Sequence, residues 1–207
     1  MIRSATCAVA LMLGLAACGP EPEAAAAADA PATEGVASAI APARLEAVKA
    51  QVLALVTADE DCTLREGMER TVETVDLGGG DVGALVVCST GMTDLWSRVY
   101  VAEGEAAPVL ARLPVYKFQG MEDWRSLDSM SNMTVQPDKS FAGSAILQAT
   151  GCTDAATWRW DGTRMLLATQ SHMDCEAIGP NGELPDPIQD FPTTPPTPQP
   201  EVIEAAY

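Results

Sequence analysis

Histidine is almost missing from this chain. One imidazole, His172, serves 207 residues, so a catalytic triad would have to take its base from that single position. It sits beside Asp174 and Cys175, where a hairpin is expected to end, and a surface side chain is the simpler reading of it. Basic residues are scarce too: 12 Lys and Arg face 29 Asp and Glu, a formal net charge of -17. Nucleic-acid binding depends on clustered Lys and Arg, and electrostatic docking on anionic lipid needs the same, so neither is expected here. No C-x-x-C pair occurs, which together with the lone His argues against zinc. Asp59-Glu60-Asp61 lacks the alternating spacing of a calcium loop. The glycine run Gly78-Gly79-Gly80-Asp81 is followed by no Gly-Lys-Ser/Thr and opens no helix, so it is not a phosphate loop. No metal and no cofactor is expected. Carboxylate pairs of the kind glycosidases use are available at Asp59-Glu60-Asp61, Glu103/Glu105 and Glu122/Asp123, but in so acidic a chain they read as solvated loops. Aromatics are few, with four Trp, three Tyr and three Phe. No apolar run reaches the about 20 residues that a membrane-spanning helix needs.

What is present begins with an address. Arg3, an apolar run from Cys7 to Leu15 and small residues closing on Cys18 form a signal-peptide layout. Leu15-Ala16-Ala17-Cys18 resembles the lipobox of bacterial lipoproteins. The resemblance implies cleavage after Ala17, a diacylglyceryl thioether on the Cys18 sulfur and a further acyl chain, such as palmitate, on the new amino terminus. One fatty chain holds a protein only reversibly, whereas two or three anchor it stably. Gly19, rather than Asp, after the cysteine favours the outer over the inner membrane of a Gram-negative envelope, with the domain in the periplasm. Residues 1–17 carry Arg3 and no acid, so their loss moves the charge from -17 to -18. Such acidity keeps a protein soluble and suits a basic partner.

Once Cys7 leaves with the leader and Cys18 takes lipid, Cys62, Cys88, Cys152 and Cys175 remain. An even number in an oxidising compartment implies disulfides, and four cysteines allow three pairings. Pairing Cys62 with Cys88 and Cys152 with Cys175 closes two local loops, each worth roughly 3 kcal/mol in the chain-entropy description.

The rest of the chain divides by composition. Residues 18–40, rich in Ala, Glu and Pro, cannot bury enough surface to fold and read as a disordered tether with ends about 25 Å apart. Residues 41–57 carry Leu45, Val48, Val52, Leu55 and Val56 at helical spacing behind Pro42, an amphipathic helix. Residues 58–184 show strand signals throughout: Met68 to Leu77, Ala84 to Val87, Leu95 to Val101, Val109 to Leu113 and Ser140 to Ala149. Between Pro114 and Asp138, Met121-Glu122-Asp123-Trp124 suits a helical turn or a loop. From Pro185 to Pro200 seven prolines fall among Thr, Gln and Glu, so residues 185–207 read as an extended or disordered tail. The expected fold is mainly β, an antiparallel sheet or small barrel, with one N-terminal helix.

The clearest local signal is Trp158-Arg159-Trp160, then Asp161-Gly162, then Thr163 to Thr169. Asp-Gly between strand formers suits a type I′ hairpin, which would set Trp158 opposite Met165, Trp160 opposite Thr163 and Cys152 opposite Ser171. Trp158, Trp160 and Asp161 form the candidate binding surface, with core burial of the two indoles as the alternative. Trp158-Arg159-Trp160-Asp161-Gly162, with Gly151-Cys152 before it and Met165, Leu167 and Cys175 after it, resembles a family of exported Gram-negative proteins known as a domain of unknown function. Leu85-Val86-Val87-Cys88, Gly91 and Asp190-Phe191-Pro192 extend the likeness over residues 60–192. The chain differs at Gly151 and Thr153, where that family has Asp and Gly, and at Met92-Thr93-Asp94, where it has Ala-Tyr-Asn. The resemblance implies an architecture and an address, and no activity. A non-enzymatic binding or envelope-maintenance lipoprotein is the expectation, with a basic protein or a cell-wall glycan as partner. The alternatives are an inhibitor of a basic hydrolase such as lysozyme and an envelope hydrolase built on a carboxylate pair.

Overall fold

Proline at the start and valine at every fourth position build the one α-helix among the described residues. The computed structural model describes residues 40–92, 94–121, 123–147, 152–179, 181, 183–194 and 196–205; the leader, Cys18 and the tether up to residue 39 lie outside the described residues, as do the side chains of Cys152 and Cys175. Helix α1 (Pro42–Ala58) has Pro in its first turn, where the missing N–H costs nothing and φ is already helical. Val48, Val52 and Val56 are fully buried, each contributing about 2 kcal/mol through apolar area removed from water. Leu55 was expected on that stripe and is 44 % exposed, because one residue further round turns its side chain about 100° from Val56. The helix end is closed by distant side chains: Arg70 donates to the Val56 and Cys62 carbonyls, and Arg98 pairs with Asp59. The bond to Val56 takes up one of the carbonyls that a helix leaves free at its C-terminus, and the other two hold the segment that follows it.

Strands β1 (Val72–Gly78), β2 (Asp81–Thr90) and β3 (Leu95–Ala102) pair in sequence order, antiparallel. The turn between the first two runs through Gly78, Gly79 and Gly80 at φ 92°, 65° and 97°, consecutive left-handed positions that only glycine adopts freely. Strands β4 (Val109–Leu110) and β7 (Met130–Ser131) share the outer edge of β3, one at each end. Strands β5 (Leu113–Tyr116) and β6 (Trp124–Leu127) form a separate hairpin. The second large sheet runs β12 (Ile188–Phe191), β11 (Met165–His172), β10 (Cys152–Trp160), β9 (Phe141–Leu147), β8 (Thr134–Val135). The fold is thus mainly β, as two antiparallel sheets and a hairpin; Phe118–Gly120 makes a tight connection with Gln119 at φ 50°, and of the segment expected as a helical turn or a loop, Trp124 opens β6.

Alternation along β2 and β3 separates two cores. Val82, Ala84, Val86 and Cys88 on β2, with Tyr100 and Ala102 on β3, face the helical valines. Their opposite neighbours, Leu85, Val99 and Val101, face the second sheet and join Phe141, Trp158, Met165 and Leu167. The sheet is therefore apolar on both faces. Gly83 lies where the two sheets approach closely: a Cβ there would stand 2.8 Å from Cζ of Phe141. Cys62 and Cys88 form a disulfide, with Cα atoms 4.4 Å apart, which pins the segment after α1 to β2 as the spacing suggested.

The domain does not stop at residue 184. The proline-rich segment is extended, as its composition implies, but it lies along the sheets up to Ala205. Residues 188–191 pair with β11, Ser126 N–H donates to the Glu204 carbonyl at 2.9 Å, and Ile203 packs on the main core. Proline removes the N–H groups of a regular ladder. Beyond β12 the strip instead uses carbonyls and one side chain, Gln199, whose Oε1 accepts from Leu167 N–H at 2.9 Å.

The β5–β6 hairpin is joined to the second sheet by side chains. Gln170, fully inside on β11, accepts from Tyr116 N–H at 2.9 Å and donates to the Tyr116 carbonyl, so its amide stands in for one residue of backbone pairing. Trp158 Nε1–H donates to the Pro114 carbonyl at 2.7 Å. Removing the amide would leave two buried backbone groups unpaired. Gln170→Ala is expected to cost about 3 kcal/mol in chemical denaturation, well above Gln189→Ala on the exposed edge; equal, small losses from the two variants would show that the amide does not carry this joint.

Candidate functional site

The hairpin that attracted attention in the sequence is wider than Asp-Gly suggests. Trp160 stands opposite Met165 and Trp158 opposite Leu167, so the turn has four residues, Asp161 to Arg164. Asp161 organises it: Oδ1 accepts from Thr163 N–H at 2.8 Å, from Arg164 N–H at 2.9 Å and from the Thr163 hydroxyl at 2.9 Å. An Asx-type side chain folded onto its own backbone replaces the two-residue turn. Loss of water would raise the Asp161 pKa, but these donors outweigh it and hold the carboxyl below its ordinary value. A register shift after Thr157 moves the far end as well. Asp154, and not Cys152, lies beside the end of β11, opposite His172, while Cys152 pairs through its backbone with Leu147.

The candidate surface Trp158, Trp160 and Asp161 is therefore corrected. Trp158 is fully buried, as strand alternation with Ala156 demands. Trp160 is half-buried against the same core, its Nε1–H donating to Asp81 Oδ2 at 2.9 Å, and so ties the second sheet to the glycine turn of the first. Asp161 serves its own turn. The two indoles share a face, as period-two geometry requires, but not the same degree of burial.

A different cluster forms at the other end of β10. Asp154 is only 7 % exposed. Across the ladder, His172 places Nδ1 at 2.8 and 2.9 Å from the two carboxylate oxygens of Asp190. A carboxylate can only accept, so Nδ1 carries the hydrogen and Nε2 is the ring's free nitrogen. The strand register explains the aim of Asp190: Phe191 pairs with Gln170 and Gln189 with Ser171, which leaves Asp190 as the extra residue of a bulge, the device that redirects one side chain. Above them, Lys117 and Gln119 both have φ of 50°, strained for residues with a Cβ. That strained loop brings the Gln119 N–H onto the Asp154 carboxylate. Burial pushes the Asp154 carboxyl above its usual range; Asp190 adds to the shift, while His172 and the Gln119 N–H oppose it.

Chemically this is an acid–histidine–acid group without a nucleophile. Among the described residues no hydroxyl or thiol is hydrogen-bonded to His172 Nε2, and no group of three or more His, Cys, Asp and Glu is placed to hold a metal ion. Of these residues the sequence offers His172 as a candidate base and Asp190 only as part of the Asp190-Phe191-Pro192 likeness. Asp154 had a legible signal, a charge at an inward position of a strand, on the same parity as Ala156 and Trp158. The second disulfide, Cys152 with Cys175, and the lipid site Cys18 fall outside what is described. No family model, curated protein or solved structure matches this chain.

The raised Asp154 pKa fixes a sign. The folded state holds this proton more tightly than the unfolded chain, whose carboxyl has the ordinary value of 3.8. Ionisation therefore weakens the fold: the cost is absent below about pH 4, grows as pH rises through the higher folded value, and is complete above it. Asp154→Asn keeps the shape and an acceptor and lacks the charge. It should raise Tm near neutral pH, with the advantage over wild type shrinking to nothing as the buffer is taken toward about pH 4. An Asn variant less stable than wild type at neutral pH, or an advantage that ignores pH, would contradict the assignment.

Proposed function

We propose that this chain is a lipid-anchored, non-enzymatic binding protein of the Gram-negative envelope, carried on Cys18 with its β domain in the periplasm. The leader and the Leu15-Ala16-Ala17-Cys18 sequence support the address. The chain's formal net charge of -17 disfavours electrostatic docking on anionic lipid, and no described helix is long and apolar enough to cross a membrane; in this reading the lipid is the element that keeps the domain in place.

The observation that carries the binding reading is how the acids and the histidine are employed. His172 is engaged by Asp190, Asp154 is enclosed in the core end, and Asp81 and Asp161 tie turns. Four cavities lined by described residues bear at most one carboxylate each, Glu201, Asp138 or Glu103, so none of these four presents the acid pair that glycoside hydrolysis needs. Such a domain holds side chains still, which favours recognition over turnover.

Two measurements test this. In fractionated cells the wild-type chain is expected in the outer-membrane pellet and Cys18→Ser in the soluble periplasmic fraction, folded and with the Cys62–Cys88 disulfide intact; a Cys18→Ser variant that stays in the pellet would remove the lipid anchor from the proposal. The purified full chain is expected to leave peptidoglycan and ester substrates unchanged. Turnover that is lost on Asp190→Asn or His172→Ala would overturn the non-enzymatic part.

A further inference from the structure

Positive charge is rare in this molecule, with 12 basic side chains in 207 residues, yet two of them meet at one place. Arg112, between β4 and β5, and Arg164, at the end of the Asp161–Arg164 turn, each line two neighbouring cavities, with Met165 as the third shared residue. The first cavity, about 260 Å³, lies between the β5–β6 hairpin and the C-terminal strip, where Pro114, Val202 and Ile203 supply apolar walls. The second, about 210 Å³, lies beside β3 and β4 and is walled by Val101, Val109, Leu110 and Trp160. Two largely apolar chambers thus share Arg112, Arg164 and Met165 among their lining residues.

Those guanidinium groups are only partly used by the protein. Arg112 pairs with Asp128 through Nη1, both side chains being substantially exposed. Arg164 donates from Nη1 to the Pro200 carbonyl at 2.8 Å and turns Nε toward Asp161 at 3.9 Å. Its Nη2 has no protein acceptor among the described residues, and a guanidinium carries five N–H donors in a fixed fork. The two acids that line the chambers, Glu103 and Glu201, are exposed. Met165, by contrast, is buried beneath both arginines. Apolar walls with a few convergent polar groups are the usual makings of a small-molecule site. Paired guanidinium forks select a planar anion such as a carboxylate. Neither chamber reaches the about 300 Å³ at which sites for drug-sized ligands begin, so the ligand is small.

We propose that the Arg112–Arg164 neck binds a small carboxylic acid with an apolar body, the carboxylate on the two guanidinium groups and the body in the chamber beside Trp160. This deepens the reading of the chain as a binding protein and rests on it. Charge complementarity explains why the site is cationic in an otherwise acidic chain: the surrounding acids repel a small anion everywhere else on the surface.

The test uses the full chain in lipid nanodiscs, with ¹³C-labelled methionine methyl groups read by NMR. The probes are naphthalene-2-carboxylate and its neutral, isosteric carboxamide. The Met165 methyl signal, identified by its loss in Met165→Leu, is expected to shift saturably with the carboxylate. The carboxamide should bind at least about tenfold more weakly, a difference of about 1.4 kcal/mol. Arg112→Gln, which removes only an exposed ion pair from the fold, should weaken the carboxylate several-fold. Arg112→Gln with Arg164→Gln should weaken it at least about tenfold, while the Met130 methyl in the core keeps its position and reports an intact domain. No Met165 shift at millimolar carboxylate, equal affinity for acid and amide, or unchanged binding by the double variant would each overturn the proposal. Failure here with normal Cys18-dependent fractionation would sink the ligand site alone, whereas carboxylate binding by a chain that hydrolyses envelope substrates would sink the non-enzymatic reading and leave the site standing.

Discussion

A missing stretch of β-ladder, filled by the Gln170 amide, is the constraint from which the rest of this domain follows. Strand β5 reaches β11 but does not pair with it as backbone. One Gln amide takes up both polar groups of Tyr116, and one indole takes the carbonyl of Pro114. Buried backbone groups must be satisfied wherever the chain goes, and here two side chains do so across a gap that a strand would otherwise close. Because the sheets are stitched and not zipped, a slot remains between the hairpin and β11. The C-terminal strip enters that slot, with Gln199 on Leu167 and Met165, Glu204 on Ser126 and Ile203 on the core. A side-chain joint thus explains both why the tail is needed and why a cavity remains beside it.

The same economy with backbone pairing governs the opposite end of the second sheet. β12 is only four residues long and is held by what projects from it. Asp190, thrown out by the bulge, reaches His172, while Phe191 packs edge-on against Trp124 with ring centroids 5.4 Å apart, and Trp124 in turn lies 5.1 Å from Tyr116. A histidine–carboxylate hydrogen bond on one side and an aromatic stack on the other fix a strand whose ladder alone would be too short. The buried Asp154 beside this clasp works against the fold when charged. A group that costs stability at neutral pH needs a compensating reason, and its neighbours His172 and the strained Gln119 N–H provide the partial one visible in the structure.

Strong local signals carried the architecture. Valines four apart gave α1, three successive glycines gave the β1–β2 turn, and the 26-residue spacing of Cys62 and Cys88 placed the disulfide within a local loop. Less was legible where meaning depended on tertiary neighbours. Asp-Gly signalled a hairpin correctly, but the Asp161 side chain set its length and moved the whole register, which no count along the sequence anticipates. The tail looked separable because proline forbids ladders; nothing in its composition says that a glutamine side chain will take the place of a strand. His172 keeps the surface place expected of it, its side chain 39 % exposed, but its partner Asp190 lies 18 positions away, across a bulge invisible to period-two counting. Arg112 and Arg164, 52 positions apart by their numbers, carried no shared signal at all.

That last pair connects the joint to recognition. Arg164 grips the strip through the Pro200 carbonyl with one nitrogen and leaves Nη2 without an acceptor among the described residues, so the residue that holds the strip also lines the cavities. A ligand engaging the free nitrogen would immobilise the guanidinium that holds the strip, and a well-seated strip would in turn position the guanidinium for the ligand. Anything that binds only the closed arrangement stabilises it by mass action. The coupling is reciprocal: conditions that loosen residues 199–204 must lower affinity by the same factor by which ligand strengthens their attachment.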